Sequence, residues 1–423
     1  MRRCVLHGFA AAVAACASLE AQVPIPAPPQ RTSIALRGAT IHTVANGTIT
    51  NGTIVFERGV ITAIGSDVPI PPGARTIDVS GKHIYPGLID AYSTVGIAEI
   101  GDVGVTNDVV ELGDFNPSAR PDVAVNPESR HIGTSRSNGV LVTLTTPGGG
   151  LFPGLSSAIN LDGWTWEQMT LVSAAALNIN WPDPEEADEY DAALRRIREY
   201  FADARAYRDV RAAGRLVPSD VRFDAMIPAL DRDIPVVVAA DRVVQIQDAI
   251  RWAEEEGVRL VIRGGADAVL VADHLAEKQI PVILTETLRA PERSWEPYDA
   301  AYARAALLHA KGVRIAIAGG SGAAYTNRLP YEAGVAVAFG LPEEAALEAV
   351  TLNPALFMGL ADRVGSLEVG KDATLLITTG NPLDYLTNIE QAYIQGRELD
   401  MRDIHRFFFE KYMEKLRQTR PAV

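Results

Sequence analysis

Residues 85–96 read YPGLIDAYSTVG, a short apolar strand that leaves a proline-glycine turn and runs to Asp90. Later runs of the same character are apolar, rich in β-branched residues and bounded by glycine or acidic turns. They are GVLVTLTT (139–146), IPVVVAA (234–240), VRLVIRGG (258–265), IPVILTET (280–287) and VRIAIAGG (313–320). Segments with helical spacing, such as QIQDAIRWAEEEG, lie between the later runs. Continuous apolar strands that are each followed by a helix predict a parallel sheet with both faces covered.

This sheet is expected to close on itself. A chain of 423 residues is long enough for one large barrel with an accessory domain. We therefore predict an α/β fold with a TIM-like (β/α) barrel over residues 85–365, in which six or seven strands can be assigned. Short β-patterned runs with turn signals precede this region and recur after it. They predict a small composite β-sandwich domain built from both chain ends, residues 32–84 and 366–400.

The first residues have the pattern of an export leader. Two arginines precede a short apolar run, so residues 1–21 predict a signal peptide or a lipoprotein leader, followed by a proline-rich spacer over 22–31. Cleavage after Ala17 and lipidation of Cys16 both fit the pattern. We expect export to the periplasm or anchoring at the membrane through a lipid. Both cysteines lie in the leader, which excludes a disulfide, a thiolate ligand and a cysteine nucleophile from the folded part.

Composition and net charge limit the classes of partner that the protein can bind. The chain is 47% hydrophobic and 22% charged, as in ordinary globular proteins, and its formal net charge is −14. A strongly acidic protein is a poor partner for a polyanion, so we expect no nucleic-acid binding. Residues 401–423 predict a final helix. Its Phe407, Phe408, Phe409 and Tyr412 are expected to dock on the body of the protein, with a contact to a second copy as the alternative.

Several long blocks resemble the amidohydrolase superfamily. They are GTIVFERGVITAIG, VSGKHIYPGLID and VTLNPALFMGLADRVGSLEVGKDATLLITTGNPL (350–383). The resemblance runs from about residue 33 to 399 and departs at Thr374, where an aspartate is usual. The middle of the chain also resembles an imidazolonepropionase-like, secreted subgroup. The resemblance implies a barrel hydrolase of non-peptide C–N bonds in small amides that uses zinc.

The residues that would hold that zinc are replaced. In the superfamily two histidines separated by one residue follow the PGLID strand, further histidines end middle strands, and an aspartate ends the last strand. Here Tyr92, Thr94 and Ala239 stand at histidine positions, and Gly319-Gly320-Ser321 follows the last strand. The remaining histidines of the mature chain share no ligand-like spacing; they are His42, His83, His131, His274, His309 and His405. We predict no metal cofactor.

The loss of the metal makes hydrolysis doubtful. Metal coordination lowers the pKa of water from about 15.7 to about 7, which reduces the free-energy cost of deprotonation by roughly 12 kcal/mol. Part of this gain is cancelled because metal-bound hydroxide is a weaker nucleophile. A carboxylate base supplies only about 3–6 kcal/mol. Two functions follow. The chain is a hydrolase of reactive amides, or it is a pseudoenzyme that binds a ligand or is a partner subunit of an active homologue. The expected assembly is a homo-oligomer or a hetero-oligomer with such a homologue.

Polar groups at predicted strand ends make the candidate site. Glu286 is the candidate general base. Arg263, paired with Glu286 or Glu99, is the candidate anchor for a substrate carboxylate, with a structural ion pair as the alternative. The other candidate substrate-binding residues are Glu99, Asp108, Glu111, Gly149, Gly150, Asp241 and Ser321. The glycines belong to TPGGGLFPG, which either approaches a small-molecule ligand or is a turn packed under Trp164 and Trp166.

Overall fold

The computed structural model describes residues 25–185, 187–320 and 322–419. The predictions for residues 1–21, with Cys16, and for Ser321 lie outside the described residues. None of the described helices is both long and apolar enough to cross a membrane.

The structure contains two eight-stranded sheets and a set of covering helices. The strands are β1 (Ile34–His42), β2 (Thr48–Glu57), β3 (Val60–Gly65), β4 (Arg75–Asp78), β5 (His83–Pro86), β6 (Leu88–Ser93), β7 (Val140–Thr145), β8 (Gly154–Asn160), β9 (Thr170–Asn180), β10 (Val236–Ala240), β11 (Leu260–Gly264), β12 (Val282–Leu284), β13 (Ile315–Ile317), β14 (Leu375–Thr378), β15 (Ile389–Ile394) and β16 (Arg397–Glu398). The helices are α1 (Arg130–Ser137), α2 (Trp166–Met169), α3 (Ala187–Ala212), α4 (Val221–Leu230), α5 (Val243–Glu256), α6 (Ala272–Glu277), α7 (Ala300–Ala310), α8 (Leu329–Ala338), α9 (Glu343–Ala349), α10 (Leu352–Phe357) and α11 (Ile404–Thr419).

The first sheet combines strands from both ends of the sequence. Its order is β16-β15-β14-β5-β1-β2-β3, with β4 paired to β1. The late strand β14 pairs antiparallel with the early strand β5, so Leu375 lies opposite Pro86. Phe56 and Tyr393 meet edge-on in its core, with ring centroids 5.2 Å apart. Two distant segments of sequence therefore share one hydrophobic core.

The second sheet is the barrel, and its order is β13-β12-β11-β10-β9-β8-β7-β6. The α/β barrel prediction is confirmed, with one correction to its strand directions. β8 is antiparallel to both of its neighbours, because short connections join it to them and a parallel crossover needs a dozen or more residues. The strands β8 and β9 were not predicted from the sequence. All seven residues of β8 are buried, but its serines and the glycines beside it are typical of a loop in sequence.

A buried carboxyl group joins the first and last barrel strands. Asp90, at the end of PGLID, is completely buried and accepts a hydrogen bond from Gly319 N–H at 3.1 Å and from Tyr92 N–H at 3.3 Å. Burial raises the pKa of Asp90 to about 7, and the two N–H donors oppose that rise. The side-chain hydroxyls of Ser93 and Thr326 meet nearby at 2.6 Å. These contacts bring the two ends of the sheet together.

An ion-pair cluster joins the barrel to the composite sheet. The carboxylate of Asp162 lies 2.7 Å from Arg136 Nη1 and 2.8 Å from Arg397 Nη1, and it accepts the Ala27 N–H at 3.2 Å. Asp162 and Arg136 are both almost fully buried. Breaking such a pair leaves a buried charge without a partner, which lowers the free energy of unfolding by about 3–5 kcal/mol.

The final helix α11 is largely uncovered. Ile404 and Phe407 in its first turn are half-buried, but Phe408, Phe409 and Tyr412 are exposed. The expectation that these three aromatic side chains dock on the body of the same chain is therefore wrong. Only the start of the helix packs there.

Candidate ligand site at the barrel mouth

Three adjacent strands bring one residue each to the same level of the barrel. Ala239 of β10 lies opposite Asn180 of β9 on one side and opposite Arg263 of β11 on the other. Val237 and Val261, two residues earlier, belong to the cluster that fills the barrel interior. Because side chains alternate along a strand, Ala239 and Arg263 face the same interior. They lie at the carboxyl ends of their strands, which is the mouth of the barrel.

Arg263 is the central group of this mouth. Its Cζ lies 4.1 Å from the centroid of the Tyr92 ring, and its Nη2 donates to Asn180 Oδ1 at 3.1 Å. The side chain is only 9% exposed. Nη1 is shielded from solvent and has no hydrogen-bond partner among the described residues. A cation–π contact contributes about 2 kcal/mol when desolvated, whereas burying a charge costs several. The guanidinium is therefore held in place but electrostatically under-compensated.

The predicted carboxylate partners of Arg263 lie elsewhere. Glu286 is half-buried, beyond the end of β12, and lies 3.7 Å from the Nε of Arg289. Glu99 accepts a bond from Asn126 at 3.4 Å, and its backbone carbonyl accepts one from His131 at 2.9 Å. The predicted pairing of Arg263 with Glu286 or Glu99 is thus wrong. Strand register places Tyr92 and Asn180 against the guanidinium instead.

No histidine stands at Tyr92, Thr94 or Ala239, the positions at which the resemblance expects metal ligands. Tyr92 presents the face of its ring to Arg263, and Ala239 has no donor atom. Thr94 is buried, and its carbonyl accepts the N–H groups of Ile97 and Ala98, both at 3.1 Å. Within the described ranges no three His, Cys, Asp or Glu side chains group in a way that could hold a metal ion. A nearby guanidinium also disfavours a dication.

The glycine loop supports Arg263 indirectly. Asn180 Nδ2 donates to the carbonyls of Gly149 at 3.3 Å and Gly150 at 2.9 Å, so the loop orients the amide that holds the guanidinium. A Cβ on Gly150 would lie 2.7 Å from the Gly113 carbonyl oxygen, and its φ of +59° also favours glycine. The loop therefore packs against the segment around Gly113.

Other predicted site residues are dispersed. Asp241 is exposed and accepts the Ala266 N–H at 3.2 Å, with its carboxylate against Gly264 on the outer side of the strand ends. Asp108 and Glu111 are exposed and line a separate cavity of about 360 Å³. None of these three carboxylates is hydrogen-bonded to Arg263 in the described structure.

Sequence reasoning missed two groups that shape the mouth. Asn180 orients Arg263. The one signal for this role in the sequence is that Asn180 is a polar residue on the inward face of the run LNIN. Glu332 is buried and accepts the N–H groups of Thr287 at 2.8 Å and Leu288 at 2.7 Å. Burial raises the pKa of Glu332 to about 7, and these two donors oppose the rise. Glu332 thereby fixes the start of the loop that follows β12.

Comparisons with known proteins agree on one superfamily. The family model described as Amidohydrolase family matches residues 220–401. The amidohydrolase tasK of Hapsidospora irregularis is 23% identical over 394 residues, 82% of this chain and 39% of that protein. The chain thus spans about two fifths of the length of that relative. The imidazolonepropionase of Micrococcus luteus is 24% identical over 403 residues, 83% of this chain and 92% of that protein.

A solved structure shows the same similarity in three dimensions. The crystal structure of an amidohydrolase from Thermotoga maritima superposes with a TM-score of 0.80 at 28% identity. The superposition covers 87% of this chain and all of that one. The similarity therefore extends over both the barrel and the composite sheet.

Proposed function

The chain belongs to the amidohydrolase superfamily of hydrolases, and from that premise we propose that its barrel mouth binds a small carboxylate-bearing molecule without a metal ion. The observation that carries the proposal is the position of Arg263. A guanidinium stacked on Tyr92 stands among the positions that would carry metal ligands. In this reading the chain is a ligand-binding pseudoenzyme of its superfamily.

Electrostatics support the absence of a metal. A unit positive charge and a divalent ion about 5 Å apart repel by roughly 7 kcal/mol at an effective dielectric constant of about 20. Histidine ligands would have to offset this repulsion, and Tyr92, Thr94 and Ala239 supply none. We therefore propose that neither zinc nor a similar dication belongs to this site.

The chemistry of Arg263 points to the class of ligand. A guanidinium presents parallel N–H donors that match a planar carboxylate, and such charge-assisted bonds are about twice as strong as neutral ones. Nη1 has no protein acceptor among the described residues, so an incoming carboxylate would satisfy it. The neighbouring Tyr92, Asn180 and Ala239 are only partly buried, so we propose that a ligand approaches the guanidinium on that side. N-acyl amino acids and related carboxylated amides fit both this group and the superfamily's substrates.

Thermal denaturation with a ligand panel tests this proposal. N-acyl amino acids should stabilise the protein by about 2.7 kcal/mol at 100 times their dissociation constant, whereas their N-methylamides, which lack the carboxylate, should not. Zinc content measured on the same preparation should be far below one ion per chain. Equal stabilisation by the uncharged amides, or stoichiometric zinc, would overturn the proposal.

A second candidate function is metal-free hydrolysis of a reactive C–N bond. It is supported by the half-buried position of Glu286 just beyond β12, with Arg289 at 3.7 Å. A general base must be able to reach its substrate, and the side chain of Glu286 is 35% exposed. Turnover of cyclic amides that disappears in Glu286→Gln but persists in Glu292→Gln would favour the hydrolase over the pseudoenzyme.

We also propose that the protein is exported, on the strength of the leader pattern in residues 1–21. Fractionation of bacterial cells that express the full chain tests this proposal. The protein should appear in the periplasmic fraction if the leader is cleaved after Ala17, or in the membrane fraction if Cys16 is lipidated. In the second case Cys16→Ala should release it from the membrane, and retention in the cytoplasm would contradict both routes.

A further inference from the structure

The helix α11 carries an apolar face that none of the described residues of its own chain covers. Phe408, Tyr412 and Leu416 are four residues apart, and Phe409 and Met413 lie beside them on the same side of the helix. Phe409 is 62% exposed and Tyr412 and Leu416 are each 55% exposed. An isolated helix of this length is marginal in water, so its stability calls for a partner surface. We call this helix the tail helix.

The tail helix is also basic where its apolar face ends. It contains four arginine or lysine residues and two glutamates, a net charge of +2 on a chain whose total is −14. Arg406 pairs with Glu410 and Arg417 with Glu414. Lys411 and Lys415 have no carboxylate at ion-pair distance among the described residues. Helical spacing puts both lysines along one edge of the apolar face.

A second exposed surface has the opposite charge. Residues 97–114, here called the acidic segment, follow β6 and contain five acidic residues and no basic one. Val105 and Leu112 are 97% and 96% exposed, and Ile100 and Val110 are exposed as well. Asp102, Asp108 and Glu111 form no ion pair within the described part of the chain. The acidic segment is thus apolar and negatively charged, as the tail helix is apolar and positively charged.

Both surfaces flank the same short helix. Ser137 at the end of α1 donates to Asp403 Oδ2 at 2.7 Å, just before the tail helix. His131 at the start of α1 donates to the carbonyl of Glu99 in the acidic segment at 2.9 Å. An eight-residue helix is about 12 Å long, so the points at which the two surfaces contact α1 lie within about that distance of each other.

We propose that two copies of this chain form a two-fold dimer in which each tail helix covers the acidic segment of the other copy. A two-fold axis near α1 would make both contacts at once, as an isologous interface requires. Lys411 and Lys415 would meet Asp102 and Glu111, while Phe409, Tyr412 and Leu416 would cover Val105 and Leu112. The acidic segment follows the first barrel strand, so the partner's tail helix would lie beside the mouth.

A second copy explains more than a membrane does. A basic amphipathic helix can also bind an anionic lipid surface. That partner would cover the tail helix but would repel the acidic segment and leave its valine and leucine side chains in water. The dimer covers both surfaces with one interface and pairs the unpaired charges of each.

Charge reversal on the two surfaces tests the dimer. The first variant is Lys411→Glu/Lys415→Glu and the second is Asp102→Lys/Glu111→Lys. Each variant alone opposes like charges in both contacts, so its self-association should be about 100-fold weaker than that of the wild type. In an equimolar mixture both contacts join opposite charges again, and the heterodimer should form with wild-type affinity. Light scattering after size-exclusion chromatography measures the molar mass of the full-length protein and of each variant at protein concentrations from about 1 to 100 µM.

The control reverses two exposed cations away from both surfaces, Arg58→Glu/Lys311→Glu, which changes the net charge as much as the first variant does. It should dimerise like the wild type. A wild type that stays monomeric at 100 µM overturns the proposal, whether or not it binds anionic vesicles. Variants that dimerise individually, or a mixture that remains monomeric although both variants keep the wild-type melting temperature, overturn it equally.

Discussion

Replacing Arg263 with methionine removes the charge from the barrel mouth while keeping most of its volume. The substitution forfeits the cation–π contact with Tyr92, about 2 kcal/mol, and the charged hydrogen bond to Asn180, about 1.5–3 kcal/mol. It also relieves the desolvation of a guanidinium that has no carboxylate partner, which is worth several kcal/mol. We expect the free energy of unfolding without ligand to change by less than about 2 kcal/mol in either direction.

The same substitution at Arg136 is the matched control. Arg136 is equally buried but lies 2.7 Å from the Asp162 carboxylate, so Arg136→Met should cost about 3–5 kcal/mol. Urea denaturation measures both values, and calorimetric titration of Arg263→Met with an N-acyl amino acid should show at least a 100-fold loss of affinity. If Arg263→Met were as destabilising as Arg136→Met, or bound carboxylates normally, the assignment of Arg263 as an unpaired anion anchor would be refuted.

The remaining predictions concern the supports of this mouth. Tyr92→Leu should weaken carboxylate binding by about 5- to 30-fold in calorimetric titration because the stacked ring is lost, whereas Tyr92→Phe, which keeps a ring, should bind like the wild type. Gly150→Ala should cost more stability in urea denaturation than Gly214→Ala, since both have positive φ but only Gly150 would press a Cβ against a carbonyl oxygen; equal costs would contradict the packing. The folded-state pKa of Asp90 is raised to about 7, so its contribution to stability is complete below pH 4 and is lost as the pH rises through 7. Between pH 4 and pH 8 the free energy of unfolding should therefore fall by up to about 4 kcal/mol more in the wild type than in Asp90→Asn. An equal pH dependence of the two free energies would contradict the buried neutral carboxyl group.

In the proposed site, Tyr92, Thr94 and Ala239 supply none of the histidine ligands that would offset a dication's dehydration. A guanidinium fixed to β11 can stand at the same level of the barrel, because in this proposal its charge does not meet that of a metal. We propose that this guanidinium is the cation that an anionic ligand binds.

The sequence by itself determined the scaffold, and it predicts that the metal ligands are absent. Apolar strands followed by helices indicate a barrel, because the hydrophobic periodicity of each element is a pattern in consecutive residues. Tyr92 and Thr94 are likewise identified by their fixed distance from the PGLID motif. The antiparallel strand β8 was not predicted, since its two serines satisfy their hydrogen bonds with Thr146 and Ser173 in the folded protein, which no local pattern reveals.

Only the tertiary structure decided what Arg263 touches and which surfaces remain bare. Its neighbours Tyr92 and Asn180 are 171 and 83 positions away along the chain, and strand register alone brings them together. Glu286 is nearer in sequence, yet it lies beyond the end of its strand and close to Arg289. The aromatic side chains of the tail helix likewise look like core residues in sequence, because periodicity records that a face is apolar and not what covers it.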